Sequence, residues 1–265
     1  MCDSTVYIMI NFKRVDDRTN YSLRPVSFKL NPLKTGPSCK ISVGNFRDDN
    51  GNLTGIGGRT TVIAILMFSS ETKSKNAPGS FHNPHMEVFV RPASGTIKSS
   101  LRCIESILLK IMQRLVKVDR LGKVTLSLRL QIMEDSGGLL SVCINTLILC
   151  LYLSGIEMIN VPYSVSVGIV RSGSDSMGEN LVILDPTDYE IATYCSTSLT
   201  ILCDPETGNY YIYLSSLGEV SLMTIDSGSG LYGNSLTLIK SLAKKAAVKY
   251  MEEVEKLKNQ SSKSL

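Results

Sequence analysis

Between Leu139 and Leu153 the chain is almost wholly apolar, interrupted only by residues such as Asn145 and Thr146. The run falls short of the ~20 residues that a membrane-spanning helix needs. It therefore reads as a helix buried on all sides, which other elements must enclose. The chain around it is long enough to do so: at 265 residues it suits one large or two small domains, and it buries a core without needing a metal or disulfide. A hydrophobic content of 43% with 20% charged residues and a net charge of +4 excludes a disordered polyelectrolyte and a collagen-like or low-complexity chain.

Hydrophobic periodicity supplies the rest of the fold. Strands are expected at Val26–Leu30, Thr61–Phe68, Met86–Val90, Val124–Ile132, Tyr163–Val170, Leu181–Leu184, Leu199–Cys203 and Tyr210–Leu214, each bounded by Gly, Pro, Asn or Ser. From Lys98 to Val118, Leu101, Ile104, Leu108, Ile111, Met112 and Leu115 recur at helical spacing, with Arg102, Lys110 and Arg114 off the stripe. Further helices are expected at Gly137–Ser154, Thr187–Cys195 and Ser235 to about Lys258. Loops fall at Val43–Arg59, Ser69–His85 and Arg171–Asn180. The succession Met86–Val118 then Val124–Ser154 hints at two βα units whose helices pack together on one sheet face. Without strict βαβ alternation the class is α+β, with helices on a mixed sheet. No stretch reads as an interdomain linker, so residues 1–258 form one domain and 259–265 a frayed tail.

The seven cysteines (Cys2, Cys39, Cys103, Cys143, Cys150, Cys195 and Cys203) are odd in number, lack CxxC spacing and lie mostly in apolar runs. They read as core thiols of a reducing compartment. With only His82 and His85 as imidazoles, no structural zinc site is expected. The apolar start Val6–Ile10 is too short for a secretory signal, so the sequons at Asn20 and Asn52 are expected to stay unmodified.

Few motifs carry chemistry outright. The Gly51–Gly58 loop leads into a strand, so it reads as a hairpin and not a phosphate cradle. Ser94-Gly95-Thr96 and Asp135-Ser136-Gly137-Gly138 each precede a helix, where free N–H groups attract anions; plain capping by Asp135 or Ser136 is the simpler reading. A Ser–His–acid triad is not expected, because His82 and His85 fall in a loop. Glu134-Asp135 and the set Asp185, Asp188 and Glu190 could hold a metal or act as acid and base, or be solvated turn residues. Tyr194, Tyr210, Tyr211 and Tyr213 are expected to pack a sheet and not to stack bases. The mild positive charge limits any nucleic-acid contact to salt-sensitive phosphate binding.

Taken in order, several of these segments resemble the ribonuclease PH family. They are Leu23-Arg-Pro-Val-Ser-Phe28, the glycine loop with Arg59-Thr-Thr-Val-Ile-Ala64, the segment from Leu130 through Asp135-Ser-Gly-Gly138 to Asn145, and the helix exit Ser154-Gly-Ile-Glu-Met158. The resemblance covers roughly residues 21–250 and implies a ribonuclease PH-like fold, related to the second domain of ribosomal protein S5. Within the family, Val88-Phe-Val-Arg91-Pro92, Asp135-x-Gly-x-Leu-Leu with Cys143 and Asn145, and Leu184-Asp185-Pro186-Thr187 are most similar to a non-catalytic ring subunit of the eukaryotic RNA exosome.

The family's chemistry is phosphorolysis, in which inorganic phosphate attacks the 3′-terminal phosphodiester. Two family arginines fall on Glu87 and near Ser100, and the catalytic Asp falls near Thr197. A carboxylate at Glu87 would repel phosphate. The resemblance thus implies an inactive member: no catalytic residues, no metal, no cofactor. RNA contacts are expected at Lys73 and Lys75, whose loop would face a central channel, and at Arg91 and Arg102; ordinary solvated lysines are the alternative for the first two. The implied partners are other ribonuclease-PH-like subunits in a six-membered ring, S1- or KH-type caps and RNA, with no membrane. The implied location is nucleus and nucleolus, also cytoplasm. An active magnesium-dependent phosphorolytic exoribonuclease, using Asp185, Asp188 or Glu190 with Arg91 and Arg102, stands as the alternative, and a nucleotide-binding protein of a related superfold as a third reading.

Overall fold

The structure, a computed structural model, describes residues 14, 16–45, 58–69, 84–96, 98–118, 121, 124–170, 181–204, 210–214, 241–248, 250 and 252–256. Its elements follow in the order β1 (Val26–Leu30), β2 (Ser38–Gly44), β3 (Arg59–Ser69), β4 (His85–Arg91), α1 (Ser99–Leu115), β5 (Thr125–Glu134), α2 (Leu139–Leu153), β6 (Tyr163–Val170), β7 (Leu181–Leu184), α3 (Asp188–Thr193), β8 (Cys195–Cys203) and β9 (Tyr210–Leu214). Residues 241–248 and 252–256 are helical as well.

Two sheets form. The first has the order β1-β2-β3-β5-β4, antiparallel except for the parallel pair of β4 with β5. The second, β7-β6-β8-β9, is antiparallel throughout. The α+β class with a mixed sheet is therefore as expected. Helix α1 leans on β4, and α2 touches both sheets, through β2 and β3 on one side and β6 on the other. That double contact is why α2 has no polar face: every residue from Leu140 to Leu151 is buried. Each Leu, Ile or Val buried there contributes roughly 1.5–3 kcal/mol.

The polar interruptions in α2 have specific partners. Asn145 donates from Nδ2 to the carbonyl of Ser164 at 2.8 Å and accepts from the Ser164 amide at 2.7 Å, while Ser141 Oγ donates to the same carbonyl at 2.9 Å. These bonds dock the helix on the start of β6. Thr146 Oγ1 returns to the carbonyl of Val142, one turn back.

One core joins the first sheet, α1 and α2; the second gathers Tyr163, Val165, Val167, Val182 and Leu184 with Ala243, Ala246 and Tyr250 from the C-terminal helical residues. Small alanines let that helix approach closely, and Tyr250 closes the gap, stacked on Tyr163 at 6.4 Å and edge-on to Phe28 at 6.1 Å. In the second sheet β6 is buried on both faces along nearly its whole length. In the first sheet β3, β4 and β5 alternate buried and accessible residues over much of their length, so one face stays open there among the described residues, whereas β2 is buried on both faces except at Lys40.

Some sequence expectations need correction. Strand β2 lies where no strand was expected, and it takes Val43 and Gly44 from the expected loop. Strand β8 begins at Cys195 instead of Leu199, with α3 ending at Thr193. His85 opens β4, with Nε2 3.1 Å from Glu87 Oε1, and is not a loop residue. Tyr194 packs edge-on against Tyr189 and is partly exposed, while the side chains of Tyr210, Tyr211 and Tyr213 lie outside the described residues. Cys39, Cys143, Cys150 and Cys203 are buried as expected, but Cys103 is exposed on α1. The expected loop interiors at 46–57, 70–83 and 171–180, His82, and the tail at 259–265 lie outside the described residues.

Candidate functional site

The chemistry-bearing residues converge where two turns meet. The turn from β5 into α2 carries Asp135-Ser136-Gly137-Gly138, and the turn from β7 into α3 carries Asp185-Pro186-Thr187. The Asp188 amide donates to the carbonyl of Ser136, and a Cβ on Gly137 would come within 2.7 Å of both Asp188 N and Pro186 O. Gly137 has φ +103°, and no side chain fits there. Thr60 in β3 pins the same turn, donating to the Gly137 carbonyl at 2.8 Å and accepting from the Ser136 amide at 3.0 Å.

Helix α2 is not capped by Asp135 or Ser136. Its N-cap is Gly138, in the left-handed conformation, with no side-chain cap. Asp135 instead accepts from the Gly137 amide at 3.3 Å. The anion at the head of α2 is the carboxylate of Asp185, whose Oδ1 would lie 3.4 Å from a Cβ on Gly138. Asp185 reaches that place through a left-handed backbone, φ +48°.

Three arginines from the segment before β1 clamp this junction. Arg24 binds the Asp185 carboxylate three times, from its amide (3.0 Å), Nε (2.9 Å) and Nη2 (2.7 Å), and gives further bonds to the carbonyls of Ser136 and Gly137. Arg14 forks onto Glu190 at 2.9 and 2.8 Å and donates to the carbonyls of Leu184 and Asp185. Arg18 pairs with Asp16 and donates to the Asp185 carbonyl at 3.3 Å. Arg14, Arg24, Asp185 and Glu190 are all buried. Thr187 and Glu190 form a reciprocal capping box at the start of α3, which fixes the Glu190 backbone.

The electrostatics follow from this pairing. Burial alone would raise the Asp185 carboxyl, but the charge and hydrogen bonds of Arg24 outweigh it and hold the group below the ordinary carboxylate range. Glu190 behaves alike: burial opposes ionisation and the Arg14 bonds overcome it. Burial and the nearby Arg14 charge together lower Arg18.

Asp185 and Glu190 are therefore neither solvated turn residues nor open acid–base groups. Among the described residues, no three His, Cys, Asp or Glu side chains are grouped to hold a metal, and no helix is long and apolar enough to cross a membrane. Arg91, at the end of β4, lines a groove on the face of the first sheet that the described residues leave open, and Arg102 is exposed on α1; neither pairs with Asp185, Asp188 or Glu190. The acid and arginine set of the active-enzyme alternative is thus not assembled. Glu87 sits half-buried against His85, Ser100 is exposed in the first turn of α1, and Thr197 is buried in β8 with its hydroxyl unpartnered among the described residues. Lys73 and Lys75 lie outside the described residues.

Sequence reasoning did not single out Arg14, Arg18 or Arg24. The Thr187-x-x-Glu190 spacing is a capping-box signature that the reading of the sequence passed over. Nothing local told that arginines some 160 positions upstream would close over it.

This architecture is the ribonuclease PH-like fold. It matches the crystal structure of rice (Oryza sativa) Rrp46 at a TM-score of 0.63 with 20% identity, over 88% of this chain and all of that one. It also matches a chain of the Archaeoglobus fulgidus exosome with RNA bound to the active site (TM-score 0.64, 16% identity, covering 92% of this chain and 93% of that one). A chain of an archaeal exosome core gives 0.60 and 17%, with 90% and 91% covered. At these identities the likeness is one of fold. No family model and no curated protein matches the sequence.

Proposed function

We propose that this chain is a non-catalytic, ribonuclease-PH-like ring subunit of a eukaryotic RNA exosome, of the Rrp46 type. It supports 3′-to-5′ RNA processing and degradation, including rRNA processing and mRNA turnover, by assembly and RNA threading. Its partners are other ribonuclease-PH-like chains in a six-membered ring, S1- or KH-type caps, and RNA contacted through Lys73, Lys75 and Arg102. It works in nucleus and nucleolus, also in the cytoplasm. The shared fold with exosome ring subunits supports the assembly role.

The observation that carries the non-catalytic reading is the Asp185 carboxylate at the head of α2 with Arg24 committed to it. Phosphorolysis needs cationic donors free to hold an attacking phosphate against a phosphodiester, and a pre-placed carboxylate repels both anions. The purified chain is expected to release no nucleoside diphosphates from RNA in the presence of phosphate; release would overturn the reading. Tagged protein purified from its own cells is expected to retain other ribonuclease-PH-like chains in near-equal amounts. Recovery of the chain alone would remove the assembly role.

A further inference from the structure

Across β3, β4 and β5 the face of the first sheet that the described residues leave open carries apolar and cationic side chains side by side. Strand register aligns Lys29, Lys40, Ile63, Gln131 and Arg91 in one row across all five strands, and Ser38, Ile65, Arg129 and Phe89 in the next. Leu33, Ile63, Ile65, Phe89, Arg91 and Arg129 line a groove of about 460 Å³ over these rows. Phe89, Leu33 and, further along the strands, Met67 and Met133 are exposed. The face includes the β4–β5 parallel pair, and parallel strands ordinarily have both faces covered.

Charge decides what can cover it. Arg91 and Arg129 make no hydrogen bond or ion pair among the described residues. The carboxylate beside them in β4, Glu87, is engaged by His85. A covering surface must therefore bring carboxylates to Arg91 and Arg129 and apolar side chains to Ile63, Ile65 and Phe89. A second copy of this chain does not fit, because a two-fold pairing sets the same patch against itself and brings arginine towards arginine. Single-stranded RNA fits poorly: Ile63, Ile65 and Leu33 offer no π-face, and Phe89 is the one aromatic ring among the described residues that line the groove.

We propose that this face docks a different protein chain, one presenting an apolar patch flanked by carboxylates, and that Arg91 and Arg129 select that partner over self-association. The inference rests on the assembly reading above and adds the surface and its charge code.

The test uses the complex isolated from its own cells through the tagged full-length chain. Phenylglyoxal modifies accessible arginines, and mass spectrometry reads each site; Arg91 and Arg129 should be protected about tenfold or more in the complex relative to the isolated chain, as for charges buried against a partner. Equal modification, with ribonuclease-PH-like chains still recovered, overturns this proposal and leaves the assembly reading standing. If wild-type protein recovers no such chain, both fall.

The R91Q/R129Q variant should keep its melting temperature, retain the partner about tenfold less well and self-associate more strongly in sedimentation. Unchanged retention overturns the proposal. So does protection of the two arginines on the isolated chain by oligouridylate, which would assign the face to RNA.

Discussion

Arg24 and Arg91 flank strands of the same sheet and meet opposite fates. Arg24, just before β1, is buried with every bond directed at Asp185 and two carbonyls, whereas Arg91, at the end of β4, stands exposed on the open face without an ion-pair partner among the described residues. At the junction Arg14, Arg18 and Arg24 are each paired with a carboxylate, within two turns and the segment before β1. The open face holds arginines among apolar groups, with no matching charge paired to them among the described residues. An ion pair closed inside a protein organises its own fold, since breaking it leaves a charge where water cannot follow. Unmatched charge around an exposed apolar centre can be satisfied only from outside.

The sharpest way to break that contrast is Arg24→Met, which leaves Asp185 buried and unpaired; a loss of about 3–5 kcal/mol is expected in urea unfolding. Adding Asp185→Asn should recover part of it, because the second change removes the stranded charge. If Arg24→Met costs no more than a surface substitution, the junction is not a structural knot.

Acid should act on the same knot. Asp185 and Glu190 have lowered folded-state affinity for protons, so their contribution is present above the unfolded carboxylate range, near pH 4, and is lost as the pH falls through the still lower folded values. Stability followed by circular dichroism from pH 6 to 2 should therefore drop below about pH 4. An Arg14→Met, Arg24→Met variant should show a flatter acid limb.

Gly137→Ala tests the contact between the two turns. Its φ of +103° and the 2.7 Å approach to Asp188 N and Pro186 O predict a loss of about 1–3 kcal/mol, read from the denaturation midpoint. The smallest effect belongs to the exposed pair Arg59–Glu134, bonded at 2.6 Å. Despite that geometry, Glu134→Gln should cost no more than about 0.2–1 kcal/mol, and less at high salt, because solvent screens the pair. An equal cost for the exposed and buried pairs would erase the distinction between the regions.

The fold was largely legible in the chain because its strongest signals are local. The periods of α1, β1, β6 and β7 fall where hydrophobic spacing placed them, and the apolar run at α2 announced enclosure. Strand β2 escaped although Cys39, Ile41 and Val43 alternate inward, since Ser38, Lys40 and Ser42 resemble loop residues and cysteine carries little strand preference. Capping of α2 was misread for a different reason. Asp135 and Ser136 have the right chemistry for a cap, but the turn must pass under Arg24 and beside Asp185, and only glycines let the backbones approach.

Composition and periodicity thus determined the class, the helix that needs covering and most strand positions, because those depend on neighbours in sequence. The tertiary structure decided the use of each charge. Whether Asp185 is an acid, a metal ligand or an internal anion depends on Arg24, far away along the chain, and on the removal of water from both. Whether Arg91 is bound or free depends on which sheet face the described residues leave open. Electrostatic energy in a folded protein is set by distance and dielectric, and neither exists until the chain has closed on itself.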